Sequence, residues 1–241
     1  MSERQRLEQV FNNFYYDGFS VTNQKESMDS DTLISLFNDY LLMYRLVMTM
    51  MEHGLTDIHK LRILDIGCGN GRILRKLCDI GADPKNCFGI DISEKAIEYA
   101  TKNSPPGINF TQGDFANPIY EEQFDMITCL GVLIHIKDNE YIRKIAKEVE
   151  RILKPCGLFI VTATGEGIKW NTEMQKITRN FEHNELSRLF SELEHVTTVE
   201  LYFDKYPPNV SRGFIIQALD YGISKATYKM TVFRANNKDV V

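Results

Sequence analysis

ILDIGCGNGRILRKL, residues 63–77, places Gly67, Gly69 and Gly71 within five positions. An apolar run closed by an acid precedes them, and a run with helical spacing and cationic residues follows. Glycine weakens both strands and helices, so three at one junction mark a backbone that must turn with positive φ or approach a ligand closely. In an open α/β sheet, ligands sit beyond the carboxyl ends of the strands, and this loop leaves a strand to open a helix. The spacing is Gly-x-Gly-x-Gly and not the Gly-x-Gly-x-x-Gly of dinucleotide folds. A pyrophosphate on the helix N-terminus is therefore not the implied occupant.

Outward from the loop, short apolar runs recur at Arg62–Ile66, Cys87–Asp91, Ile108–Gln112, Phe124–Leu130 and Gly157–Thr164. Helical patterns at Arg72–Ile80, Ser93–Asn103 and Asn139–Leu153 separate several of them. Strands alternating with helices predict right-handed crossovers and a parallel sheet covered on both faces. Continuous rather than alternating hydrophobicity in the strands agrees with that burial. Farther on, a helix is expected near Asn184–Glu194, then β-rich segments at 195–203 and 228–235. With no long helix between them, these two strands are expected to close the sheet with one reversed strand at its far edge.

Upstream, Leu33, Leu36, Phe37, Leu41, Tyr44, Met48 and Met51 are spaced mostly three or four apart. They predict an amphipathic helix capped near Ser30–Asp31 and closed by Gly54. The division expected is a helical lid and substrate region over 1–60, and the main domain over 61–241, in one globular unit.

With 43% hydrophobic and 25% charged residues, the 241-residue chain has the composition of a globular protein. A net charge of −5 argues against nucleic acid as the main partner. Five scattered cysteines form no CxxC pair, so neither a zinc site nor a disulfide framework is expected, and Cys129 and Cys156 read as buried thiols. The polar N-terminus and the lack of an apolar run of ~20 residues point to a cytoplasmic protein with no membrane span.

The second strand ends in GIDIS, with Asp91 placed to accept both hydroxyls of a ribose. The third is followed by QGDF, where Asp114 and Phe115 suit the amine and the face of an adenine. Ribose and adenine without a pyrophosphate motif describe a nucleoside cofactor.

The blocks ILDIGCGNGR, GIDIS, QGDF, FDMITCLGVLIHI and ILKPCGLFIVT resemble, in order and spacing, those of class I S-adenosylmethionine-dependent methyltransferases. The resemblance covers roughly residues 61–164. It implies a doubly wound, mostly parallel seven-stranded sheet with one antiparallel edge strand, helices on both faces and an N-terminal helical lid. It implies S-adenosylmethionine as cofactor and S-adenosylhomocysteine as product. Asp65, Gly67, Cys68, Gly69, Asn70 and Gly71 would serve the methionine end, Asp91 the ribose, and Ile92, Asp114 and Phe115 the adenine. Leu130 would face the cofactor through its backbone, and Tyr16 and Arg45 would reach it from the lid.

His135, just past the fourth strand, is the candidate general base, because an imidazole titrates near neutrality. Asp138 reads as the cap of the next helix. Trp170, His183 and Arg212 are candidate acceptor contacts. The chain has CLGV where amino methyltransferases of nucleobases or glutamine carry Asn-Pro-Pro-Tyr or Asp-Pro-Pro-Tyr. O-methylation of a small polar acceptor is therefore expected: a sugar, a nucleotide-linked sugar or a natural-product intermediate. N-methylation of a small amine and a non-catalytic cofactor-binding subunit are the alternatives. No metal is expected, and the chain is expected to be a monomer or homodimer.

Overall fold

The computed structural model describes residues 1–12, 30–117, 120–121, 123–165, 172–182, 184–201 and 228–236. One sheet organises them, in the order β3-β2-β1-β4-β5-β7-β6. Its strands are β1 (Ile63–Ile66), β2 (Cys87–Asp91), β3 (Asn109–Gln112), β4 (Phe124–Cys129), β5 (Leu153–Thr164), β6 (Leu193–Glu200) and β7 (Tyr228–Ala235). The first five pair in parallel, and β7 runs antiparallel to both β5 and β6. The single reversed strand thus lies between β5 and β6. Strand β1 pairs on one side with β2 and on the other with β4, so the order turns back at β1 and opens a crevice there.

The helices are α1 (Glu3–Val10), α2 (Ser30–Glu52), α3 (Arg72–Asp79), α4 (Glu94–Asn103), α5 (Asn139–Ile152), α6 (Thr172–Ile177) and α7 (Glu185–Leu189). Every residue of β1 and β2 is buried, the consequence of being covered on both faces. Successive side chains point to opposite faces, so each strand feeds two cores. Leu64, Ile66, Phe88 and Ile127 pack with α5 and α7 on one face. Ile63, Cys87, Met126 and Ile160 pack with α2 and α3 on the other.

The helix starts follow their caps. Ser93 accepts a hydrogen bond from the Ala96 amide and begins α4. Asp138 accepts from Glu140 and begins α5, as its sequence position suggests. Helix α3 has no side-chain cap. It begins at Gly71, whose φ of 76° is left-handed, and a Cβ there would stand 2.7 Å from Phe110 Cζ.

Three expectations are corrected. On α2, Leu46 and Met50 are buried while Tyr44 and Met51 are more than half exposed. That helix is apolar on most sides, so spacing alone does not select the packed face. The helix expected over Asn184–Glu194 ends at Leu189, because the chain must enter β6 at Leu193. Cys156 is exposed with φ of 63°, at the irregularity where β5 shifts register against β4 between Phe124 and Met126.

Candidate cofactor and acceptor site

The glycine loop folds over the end of the neighbouring strand. The amides of Gly67 and Cys68 both donate to the Ile90 carbonyl, at 2.8 and 3.0 Å. Gly67 has φ of 67°, and a Cβ on it would lie 2.3 Å from Val132 Cγ2. Only bare backbone fits between the loop and the residues after β4. Asp91 then ties loop to strand: its Oδ2 accepts from the Gly69 amide at 2.8 Å and its Oδ1 from the Ser93 amide at 2.9 Å. Burial raises the Asp91 carboxyl above its usual range, and these backbone hydrogen bonds work against that rise.

At the exit of β3, Asp114 Oδ1 accepts from the Ala116 amide at 2.9 Å, and Oδ2 accepts from Asn117 Nδ2 at 3.0 Å. The Tyr141 hydroxyl, in the first turn of α5, donates to Oδ1 at 2.5 Å. After β4, the Gly131 amide donates to Thr162 Oγ1 at 2.8 Å and fixes the turn that carries Leu130 and Val132.

His135 ends a single 3-10 turn, Leu133–His135, and is 4% exposed. Its Nδ1 lies 3.1 Å from the Ile177 carbonyl, an acceptor only, so Nδ1 carries the proton and Nε2 the lone pair. Burial lowers its pKa to about 4, so the ring is neutral at pH 7. The Phe11 ring meets it edge-on, with centroids 5.2 Å apart. Helix α1 docks alongside: Arg6 donates to the His135 carbonyl and forms an ion pair with Glu3, whose Oε1 accepts from the Lys137 amide at 2.7 Å. Arg6 also holds the Glu3 carboxyl below its ordinary range.

Beside these groups lies a cleft of about 230 Å³, of small-molecule scale. Of the residues expected to bind cofactor, Gly67, Gly69, Asp91, Ile92, Asp114, Phe115 and Leu130 line it, as does His135. Asp65, Cys68, Asn70, Gly71 and Arg45 do not. Asp65 turns beneath the loop and accepts from Thr128 Oγ1 at 2.7 Å; burial pushes its carboxyl up to about 7. Asn70, ahead of α3, turns its Oδ1 back to accept from the Arg72 amide at 3.1 Å. Arg45 lies on α2 over the Tyr44 ring, 5.9 Å from its centroid. Tyr16, Trp170, His183 and Arg212 lie outside the described residues.

Sequence reasoning missed Leu7, Phe11 and Tyr141, which also line the cleft. The Ser2–Gln5 capping box was a readable signal for α1, although not for where that helix docks. Among the described residues, no group of three or more His, Cys, Asp or Glu side chains is arranged to hold a metal ion.

A sheet with this order, a glycine loop after β1 and carboxylates ending β2 and leaving β3 define the class I S-adenosylmethionine-dependent methyltransferase fold. Residues 64–161 match the family model described as a methyltransferase domain. A ubiquinone biosynthesis O-methyltransferase of Rickettsia conorii is 33% identical over 110 residues, 44% of this chain and 36% of the relative. One from Paraburkholderia phymatum is 29% identical over 113 residues, 45% of this chain and 46% of the relative. The chain thus spans between a third and a half of these curated relatives. A magnesium protoporphyrin IX methyltransferase from Synechocystis, solved with S-adenosylmethionine bound, superposes with a TM-score of 0.69 at 15% identity, covering 98% of each chain. A methyltransferase from Clostridium acetobutylicum gives 0.55 at 14% identity, covering 79% of this chain and 89% of its own. At these identities the structural likeness speaks for the fold.

Proposed function

We propose that this chain transfers a methyl group from S-adenosylmethionine to a hydroxyl of a small acceptor, with His135 taking the hydroxyl proton. The residues present fit the cofactor. Bare backbone at Gly67 and Gly69 admits its methionine end, Asp91 stands where ribose hydroxyls need an acceptor, and Ile92, Asp114 and Phe115 suit its adenine. Bound there, S-adenosylmethionine supplies a methyl carbon activated by its positive sulfur.

The observation that carries the reading is the buried, neutral His135 on the wall of the same cleft. The Ile177 carbonyl sets its tautomer, so Nε2 is the nitrogen that accepts a proton. A pKa of about 4 corrects the near-neutral value expected of the imidazole and leaves a weak base, able to take the proton only as the forming bond makes the hydroxyl acidic. Around it, Leu7, Phe11, Val132 and Ile136 are apolar. Among a sugar, a nucleotide-linked sugar and a natural-product intermediate, that lining favours the natural-product hydroxyl, and residues 1–60 would form the cover on the acceptor side. Among the described residues no helix is long and apolar enough to cross a membrane. A cytoplasmic monomer or homodimer remains part of the proposal.

The test is methyl transfer from labelled S-adenosylmethionine to panels of phenols, polyketide-like alcohols, sugars and amines. An ether product is expected, with His135→Ala reducing kcat by about 10²–10⁴-fold while retaining affinity for S-adenosylhomocysteine. Transfer to amines that survives His135→Ala would overturn the reading in favour of small-amine N-methylation. Cofactor binding without transfer to any acceptor would favour a non-catalytic subunit.

A further inference from the structure

The nucleobase end of the cleft contains a contact that methyl transfer itself does not require. Asp114 and Tyr141 both line the cleft, and the Tyr141 hydroxyl donates to Asp114 Oδ1 at 2.5 Å. A carboxylate offers about four acceptor positions. On Asp114, Oδ1 receives the Ala116 amide as well as Tyr141, and Oδ2 receives Asn117 Nδ2. The acceptor capacity left is on Oδ2. Ala116 and Asn117 belong to the same turn as Asp114 and move with it. Tyr141 comes from α5, 27 residues on, and among these donors it alone references the carboxylate to a different element. Burial and the neighbouring carboxylate push the Tyr141 phenol well above its ordinary range, so it stays a donor at any working pH.

We propose that Tyr141 is a positioning residue for base selection: by holding Oδ1 of Asp114 it aims Oδ2 at the exocyclic amine of an adenine and against the keto oxygen of a hypoxanthine. This rests on the cofactor reading of the preceding section. A purine amine donates where Asp114 can still accept, whereas a keto oxygen in that place brings two acceptors together and leaves both unsatisfied. Selection between ligands then depends on how firmly the carboxylate is oriented, because a carboxylate free to rotate can present a different edge or withdraw.

The test compares binding of S-adenosylhomocysteine and its inosine counterpart by calorimetry, in wild type, Tyr141→Phe and Asp114→Asn. Wild type is expected to prefer the adenine ligand. Tyr141→Phe keeps the ring and should lose about tenfold for the adenine ligand with little change for the inosine one, narrowing the ratio. Asp114→Asn, whose amide can donate to a keto oxygen, should narrow it further, and adding Tyr141→Phe to it should have little additional effect on the ratio. Equal weakening of both ligands in Tyr141→Phe would assign the tyrosine to packing alone and overturn the proposal. So would an unchanged ratio. Failure of wild type to bind either ligand would instead bring down the cofactor reading, and the two failures are therefore separable.

Discussion

The two walls of the cleft are built in different ways. The wall expected to meet the cofactor is the row of strand ends from β1 to β3. There Gly67 and Cys68 bond to Ile90 and Gly69 bonds to Asp91, all between neighbouring parallel strands. The wall around His135 is assembled from distant segments: Arg6 reaches a carbonyl 129 positions away, Glu3 an amide 134 away, and Ile177 lies 42 residues beyond the histidine. The first wall forms with the sheet itself. The second depends on side-chain tethers laid over a finished sheet, so it can differ between relatives without disturbing the fold.

Acid should expose that contrast most strongly. His135 has a pKa of about 4 in the folded chain against an unfolded reference of 6.5. Between those values the unfolded chain binds the extra proton. The stability linked to His135 is therefore complete above pH 6.5 and is lost as pH falls through 4, to a limit of about 3 kcal/mol. Asp65 works in the opposite sense, with about 7 folded against 3.8 unfolded: its contribution is present below 3.8 and lost as pH rises through 7. Subtracting the denaturation curves of His135→Gln from those of wild type isolates the histidine. A difference that stays flat from pH 6.5 to 4 would contradict its buried neutral state.

On the strand-end wall, Gly67→Ala adds a Cβ within 2.3 Å of Val132 Cγ2 at a left-handed φ. It should cost about 2 kcal/mol in urea denaturation. Val132→Ala should restore part of that loss by removing the clash while the backbone strain persists. Full tolerance of the alanine would mean the loop is not held as described.

The smallest effect is expected at the tethers. Arg6→Ala should destabilise α1 locally by about 1 kcal/mol, seen as faster amide exchange over residues 3–10. Amides of β1 and β2 should be unaffected. Slowed exchange at α1, or a global loss, would erase the distinction between the walls.

That same contrast decided what the sequence could disclose. Asp91, Asp114, Gly67 and Gly69 could be placed at the cleft from sequence because strand, loop and helix are consecutive, and the carboxyl end of a parallel strand fixes where the next residues stand. Asp65 shows the limit. It belongs to the same motif, yet strand alternation turns it away from the cleft to Thr128. Cys156 in an apolar run reads as buried, but there the chain takes a left-handed turn that leaves it exposed. Tyr141, Leu7 and Phe11 left no local signature, since their roles follow from how α5 and α1 pack.

The most direct measurement is calorimetric titration of S-adenosylhomocysteine into wild type and Asp91→Ala. Two backbone donors, Gly69 and Ser93, depend on the Asp91 carboxylate, and the ribose hydroxyls would as well. Binding at one site per chain is expected in wild type, with at least about a 100-fold loss in the variant. No binding in wild type, or equal binding in both, would contradict it.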